Sequence, residues 1–196
     1  MFEPTAMHRA PPDADAAFRE QFEWRAARRF ALVHATTAHT SFLRSLLAET
    51  LAEAVQRMGG NPALIATGPL LDMQFEAQSL GYAAAYPEAQ DYIVLDAAGG
   101  APIGRILLDW PATPGAAVVC VDVAVRPSAR HGAVGLQLLR AWLATCDQLE
   151  RAAELHVMPE NPARRLYRRL GFVELDGTAF PVPMRRDYGT RQRSRR

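Results

Sequence analysis

The stretch spanning residues 118–172 constrains this chain more than any other. It opens with an apolar run, Val118-Val119-Cys120-Val121-Asp122-Val123-Ala124-Val125, closed by Arg126-Pro127. Arg130-His131-Gly132-Ala133-Val134-Gly135-Leu136 then leads into a helix with Leu138, Leu139, Trp142, Leu143 and Cys146 at helical spacing. A second short strand, Leu155-His156-Val157-Met158, runs through Pro159-Glu160-Asn161-Pro162-Ala163 to Leu166-Tyr167 and ends at Leu170-Gly171-Phe172. The block therefore contains a β-α-β crossover, and the rest of the chain must be arranged around it.

Before the block, Pro11-Pro12-Asp13 reads as a helix start with Asp13 as N-cap, and residues 13–28 form a helix with Phe18 and Phe22 on one face. Residues 1–12 are expected to be irregular. Phe30-Ala31-Leu32-Val33-His34 is a first strand. Thr36 or Thr37 caps a helix carrying Leu43, Leu47, Leu51, Val55 and Met58, which Gly59-Gly60 stops. A loop over 61–69 precedes a second helix over 70–86, with Leu71, Phe75 and Tyr82 on its core side. Two strands over 91–96 and 102–110 flank a hairpin turn. After the block, 172–175 and 180–184 read as a closing strand pair. The order β-α-α-β-β-β-α-β-α-β-β argues for an α/β (α+β) fold, a mixed sheet with helices on both faces.

Composition narrows the function classes. The 196 residues are 49% apolar and 22% charged, ordinary values for one globular domain. A formal net charge of +1 provides no whole-protein field for nucleic acid or membrane. All 22 basic residues are Arg, so the protein offers no lysine to modify. Cys120 and Cys146 lie in apolar runs without a C-x-x-C pair, as expected of reduced, buried thiols in a cytoplasmic protein. No stretch reaches the ~18 apolar residues of a membrane span, and the N-terminus has no signal-peptide pattern. Six Arg, at 185, 186, 191, 193, 195 and 196, make the C-terminal end the one hint of nucleic acid or an acidic partner. Terminal basic tails are usually just solvated.

The chemistry concentrates at two strand-to-helix junctions. Residues 130–136 present backbone N–H groups without intrahelical partners, and the helix dipole adds partial positive charge. That is a cradle for phosphate or diphosphate, with Gly132 and Gly135 permitting close approach and Arg130 adding a charge-assisted bond. The plain alternative is a closely packed turn. Asn161 is an ordinary N-cap at the second junction. Tyr167, six residues on, points back to the same end of the sheet and carries a phenol able to protonate a departing thiolate. Standing alone it would be a core tyrosine.

Together these features resemble the GNAT-type, acetyl-CoA-dependent N-acetyltransferases. The likeness spans roughly residues 30–186 in element order and is strongest over 122–172. Val125-Arg126-Pro127 followed by Arg130-x-x-Ala133-x-Gly135 matches the family's first motif, except that Ala133 stands where Gly is usual. The added methyl lies where the diphosphate would run. Asn161, Tyr167, Gly171 and Phe172 match the second motif without departure.

The resemblance implies a GNAT-like, mostly antiparallel sheet of six or seven strands. It implies an acetyltransferase domain over 30–186, with residues 1–29 as a partly helical extension serving as strut or dimer contact. Residues 187–196 are an Arg-rich tail expected to be disordered. Acetyl-CoA is the implied co-substrate, with no metal. Its arm slots between the fourth and fifth strands beside Val123 and Val125, and its diphosphate meets Arg130, His131, Gly132, Ala133, Val134, Gly135 and Leu136, with Asn161 nearby. A primary amine of a small molecule or peptide attacks directly in a ternary complex. The backbone of Val123 stabilises the oxyanion, and Tyr167 protonates the thiolate.

For the base we name Asp122, a carboxylate amid an apolar strand; the alternative is a structural carboxylate bonded to a neighbouring element. Glu154, His156 and Glu160 are weaker candidates. Gln74, Gln78, Tyr82 and Tyr86 are the groups to inspect for the acceptor. Two other readings stay open: a non-catalytic acyl-CoA-binding module, and an adaptor acting through the N-terminal helix or the Arg tail. A homodimer is a further expectation.

Overall fold

Alternating strands and one strongly apolar helix place a single sheet beneath a thick core. The computed structural model describes residues 12–27, 29–62 and 68–190. The elements are α1 (Pro12–Ala26), β1 (Phe30–His34), α2 (Thr40–Arg57), α3 (Pro69–Ala85), β2 (Gln90–Asp96), β3 (Pro102–Asp109), β4 (Val118–Val125), α4 (Val134–Gln148), β5 (Ala153–Val157), α5 (Ala163–Arg169), β6 (Val173–Glu174) and β7 (Val182–Arg186). The seven strands form one sheet in the order β1-β2-β3-β4-β5-β7-β6. Every pairing is antiparallel except β4 with β5, the crossover expected from the sequence. Fold class and strand number agree with the sequence reading.

The first face of the sheet carries the main core. Leu32, Tyr92, Val94, Ile106, Leu108, Val118 and Leu155 point into it from the strands. α4 covers this face with Leu138, Leu139, Trp142, Leu143 and Cys146, the periodicity visible in the sequence. α1 joins the same core: Ala14, Phe18, Phe22 and Ala26 are fully buried. Phe18 meets Tyr92 edge-on at 5.0 Å and Trp110 at 6.1 Å between ring centroids. Burying two such side chains contributes roughly 1.5–3 kcal/mol each. Asp15 fastens the helix further, accepting the Tyr92 hydroxyl at 2.8 Å and pairing with His34 Nε2 at 3.3 Å. The helix begins at Pro12, so Asp13 lies inside the first turn rather than capping it; Pro is suited to that turn because its missing N–H has no partner to lose.

The second face is thinner. Ile93 packs with Phe42 and Leu46 of α2, edged by Val33, Leu95 and Ala124. Thr36 caps a 3-10 turn (Thr37–His39) that runs into α2, so the expected cap serves the turn first. α3 buries Leu71 but leaves Met73 and Leu80 57% and 72% exposed. An ion pair from Arg44 to Asp72 links α3 to α2. No helix among the described residues is long and apolar enough to cross a membrane.

The expected irregular N-terminus falls mostly, and the tail residues Arg191, Arg193, Arg195 and Arg196 wholly, outside the described residues. The two preceding arginines are structural. Arg186 is buried and grips Asp147 of α4 with two bonds of 2.9 Å, and Arg185 pairs with Glu154 at 2.7 Å.

Candidate active site

The site begins where two parallel strands part. β4 and β5 pair only through Val118, Val119 and Cys120 opposite Ala153, Glu154 and Leu155. Beyond Cys120 the strands separate, and the end of β4 faces a cavity of about 710 Å³. A register shift marks the same place: Leu107 of β3 lies opposite Asp122, yet Leu108 lies opposite Cys120. Val121 is therefore an extra residue, a bulge that resets the alternation of β4. Cys120, Val123 and Val125 face the main core, whereas Asp122 and Ala124 turn to the other face. Strict alternation would have put Asp122 beside Cys120.

The cradle lies at one end of this cavity. After β4 a 3-10 turn (Pro127–Gly132) hands over to α4 through Ala133, which adopts φ 56° and ψ 16°. That left-handed conformation normally costs a residue with a Cβ about 1–2 kcal/mol. It turns the chain so that the first N–H groups of α4 meet no intrahelical carbonyl. Ala133, Gly135 and Leu136 all line the cavity. A Cβ on Gly135 would meet Val125 Cγ2 at an ordinary 3.5 Å, so local packing does not demand glycine; its missing side chain leaves cavity space open instead. Arg130 also lines the cavity, with Nε donating to the Val125 carbonyl at 3.0 Å and Nη1 pairing with Glu53 at 2.8 Å. Of the proposed cradle, Val134 departs from expectation: its side chain is fully buried in the core, leaving only its backbone to serve the site. His131 and Gly132 are in the 3-10 turn by backbone; the His131 side chain lies outside what the structure describes. Exposed donors, a guanidinium and an uncluttered floor suit a diphosphate.

Tyr167 lines the same cavity. α5 is short and its N-cap is Pro162 rather than the expected Asn161, which stands one residue earlier with Oδ1 accepting the Ala163 N–H at 2.9 Å. Asn161 and Tyr167 both line the cavity with Val123 and Val125, so the two sequence motifs meet in one place. Tyr167 is 7% exposed, edge-on to Phe172 at 6.0 Å, and Phe172 in turn stacks on Trp142 of α4. Burial pushes its phenol well above the ordinary range, with the neighbouring Cys120 and Asp122 adding to the rise.

Asp122 is placed differently from expectation. It does not line the cavity; its carboxylate accepts Arg105 Nη1 of β3 at 3.1 Å. Arg105 also makes two bonds to Asp91 of β2, at 2.8 and 2.9 Å, and lies over the Tyr82 ring at 5.6 Å. Two carboxylates thus share one guanidinium on the second face. Desolvation raises the Asp122 pKa; Arg105 opposes that rise, Asp91 adds to it, and a hydrogen bond from the Val123 backbone opposes it too. The alternative reading of Asp122, bonded to a neighbouring element, describes its ground state. Val123, expected to serve an oxyanion through its backbone, lines the cavity.

The acceptor candidates ride on α3. Gln74 is exposed, Gln78 and Tyr82 are half-buried, and Tyr86 is the C-cap; none lines the cavity, and Tyr82 alone reaches the charged cluster. Burial, then Asp122, raise the Tyr82 phenol. Among the weaker bases, Glu154 is held by Arg185, while His156 and Glu160 are exposed. The sequence reading missed the wall supplied by α2: Thr50, Glu53, Gln56 and Arg57 face the cradle. Their only signal was polar residues at three- and four-residue spacing, which resembles a solvated helix face. Among the described residues, no group of three or more His, Cys, Asp and Glu side chains is placed to hold a metal ion.

Comparison with known proteins adds to this geometry. A family model described as an acetyltransferase (GNAT) domain matches residues 76–174, half of the chain. No curated protein matches in sequence. Among solved structures, a Thermoplasma acidophilum PaiA N-acetyltransferase in complex with coenzyme A aligns with 14% identity and a TM-score of 0.58, over 81% of this chain and 99% of that one. A Corynebacterium glutamicum protein described as histone acetyltransferase HPA2 and related acetyltransferase aligns with 23% identity and a TM-score of 0.56, over 83% and 98%. A spermidine N-acetyltransferase from Vibrio cholerae aligns with 17% identity and a TM-score of 0.53, over 80% and 92%. At these identities the structural likeness is one of fold.

Proposed function

The chain belongs to the GNAT family of acetyltransferases, and on that premise we propose that it transfers an acetyl group from acetyl-CoA to a primary amine of a small molecule or peptide, by direct attack in a ternary complex. We place the acetyltransferase domain at residues 30–186, with α1 as a strut. The observation that carries the reading is the meeting of Arg130, Ala133 and Gly135 with Asn161 and Tyr167 around one cavity at the parting of β4 and β5.

When bound, acetyl-CoA supplies an activated acyl thioester and a thiol leaving group. The chain's own residues do the rest. Arg130 and the N–H groups at the start of α4 hold the diphosphate, and the backbone at Val123 and Val125, no longer paired to β5, runs alongside the arm. The Val123 backbone meets developing negative charge on the acyl oxygen. Tyr167 Oη gives its proton to the departing sulfur, and Asp122 takes one from the acceptor ammonium.

Magnitudes bear on the proton donor. In water a phenol near ~10 is about 2 kcal/mol too weak an acid for a thiolate near ~8.5. Burial raises both partners, however, and the Cys120 thiol beside Tyr167 is itself pushed well up by desolvation. A thiolate confined to the same cavity is raised in the same sense, which narrows the mismatch. The elevated phenol also stays protonated at neutral pH, as a donor must.

The test is Tyr167→Phe. We expect turnover, followed as free-thiol release with a panel of primary amines, to fall by about 10²-fold or more. Acetyl-CoA affinity by calorimetry should not change. Unchanged turnover takes the donor role from Tyr167. Equal losses of turnover and affinity make it a binding residue. For Asp122→Asn we expect loss of the acid limb of the rate profile; full activity at every pH removes the base assignment.

A further inference from the structure

The cradle carries a negative charge of its own. Glu53 of α2 lines the same cavity as Ala133 and Gly135, and its carboxylate holds Nη1 of Arg130 at 2.8 Å. A carboxylate is the wrong sign for a phosphate cavity, so its presence needs a reason. The Arg130 guanidinium is anchored independently, because Nε bonds the Val125 carbonyl at 3.0 Å. It therefore stays at the end of β4 whether or not Glu53 holds it. One turn earlier on α2, Glu49 pairs with Arg126 at 3.6 Å, and Arg126 also reaches Ser45 and lies over the Phe42 ring. Neither Glu49 nor Arg126 lines the cavity. Two rungs thus tie α2 to the turn after β4, and one of them stands inside the cleft.

We propose that Glu53 occupies, in the free protein, the edge of Arg130 that the cofactor's diphosphate takes on binding. Cofactor entry exchanges an internal carboxylate for a phosphate and unfastens the C-terminal half of α2. The inference rests on the acetyl-CoA reading above. The exchange is favourable in direction. The Arg130–Glu53 pair is 46% and 31% exposed, which keeps it weak. A guanidinium with a diphosphate makes stronger, charge-assisted bonds. The displaced carboxylate has a destination, since Arg57 follows four residues later on the same helix face and lines the same cavity. Glu preceding a basic residue by four is the favourable order on a helix. The Glu49 rung, outside the cleft, keeps the rest of α2 docked.

The experiment is calorimetry on the full chain, comparing wild type with Glu53→Gln and, as control, Glu49→Gln. The ligands are coenzyme A, dephospho-coenzyme A and pantetheine. We expect Glu53→Gln to bind coenzyme A and dephospho-coenzyme A about fivefold more tightly, the worth of an exposed ion pair no longer broken. Pantetheine, which has no diphosphate, should gain nothing, and Glu49→Gln should match wild type throughout. Equal or weaker coenzyme A binding by Glu53→Gln overturns the proposal, because Glu53 then orients Arg130 rather than competing for it. A gain shared by pantetheine overturns it too, since the carboxylate would only be narrowing the cavity. A gain for coenzyme A without one for dephospho-coenzyme A moves the competition to the 3′-phosphate and overturns the diphosphate assignment. Failure of wild type and variant alike to bind coenzyme A sinks the cofactor reading itself, a different result from all of these.

Discussion

On one face of the sheet α1 and α4 bury Phe18, Phe22, Leu138 and Trp142 completely against Tyr92, Ile106 and Leu108. On the other, α2 and α3 bury Phe42, Leu46 and Leu71 but leave Met73 and Leu80 in solvent. The first face supplies the helix whose start forms the cradle. The second carries Asp91, Arg105 and Asp122 under Tyr82, together with α2 and α3. Dense apolar packing holds a backbone array still, as a diphosphate site requires. Thin packing leaves α3 on the low side of local stability, from which moving parts are drawn. The two faces thus differ in how firmly they hold what they carry.

The contrast is most open to attack at α1. Phe18→Ala should cost about 3–5 kcal/mol in denaturant unfolding, as for a large buried aromatic. Leu80→Ala on α3 should stay within about 0.5 kcal/mol. Equal, small effects would mean that α1 is only draped on the domain, and the asymmetry would be gone.

A smaller effect is expected at Arg105. Arg105→Met leaves two neighbouring carboxylates without their cation, and we expect a loss of about 2 kcal/mol at neutral pH, below the full value for a buried pair because both acids are partly exposed. The Asp122 pKa is raised in the folded state. Its contribution is therefore fully present below the unfolded value and is lost as pH rises through the folded one. Removing Arg105 raises the folded value further and widens that window upward. The deficit against wild type should shrink on titration toward pH ~4. A deficit that persists in acid would make Arg105 a packing residue.

The smallest change sharpens the comparison within the cradle. Ala133→Gly relieves the left-handed backbone but adds chain entropy to the unfolded state, so the net gain should be under about 1 kcal/mol. Thermal unfolding with and without coenzyme A would show it. A loss of stability would mean that the methyl makes packing contacts worth more than the strain.

Much of this arrangement was legible in the sequence. The apolar run of β4, the periodicity of α4 and the two motifs each obey local rules, and their convergence on one cavity follows from the β-α-β crossover. The face of Asp122 was not legible. Period-two reading groups it with Cys120, and only the extra residue Val121, visible as a shift against β3, turns it over. The partners of Arg130 and Arg126 were hidden for a different reason. Glu53 and Glu49 precede them by 77 residues each and look like ordinary polar positions of an amphipathic helix. The structural roles of Arg185 and Arg186 were masked by the basic tail in which they stand.

The union of α1 with α4 also bears on how the chain acquires its shape. Phe18 and Phe22 belong to α1, yet their partners on α4 lie more than a hundred residues later. At synthesis rates of about 5–20 residues per second, roughly ten seconds separate the emergence of the two. Through that interval the aromatic face of α1 can pack on Tyr92 and Trp110 but lacks its partners on α4. The cradle helix in turn is not sealed until α1 packs against it. Closure of the main core is therefore a non-local event that waits for α4.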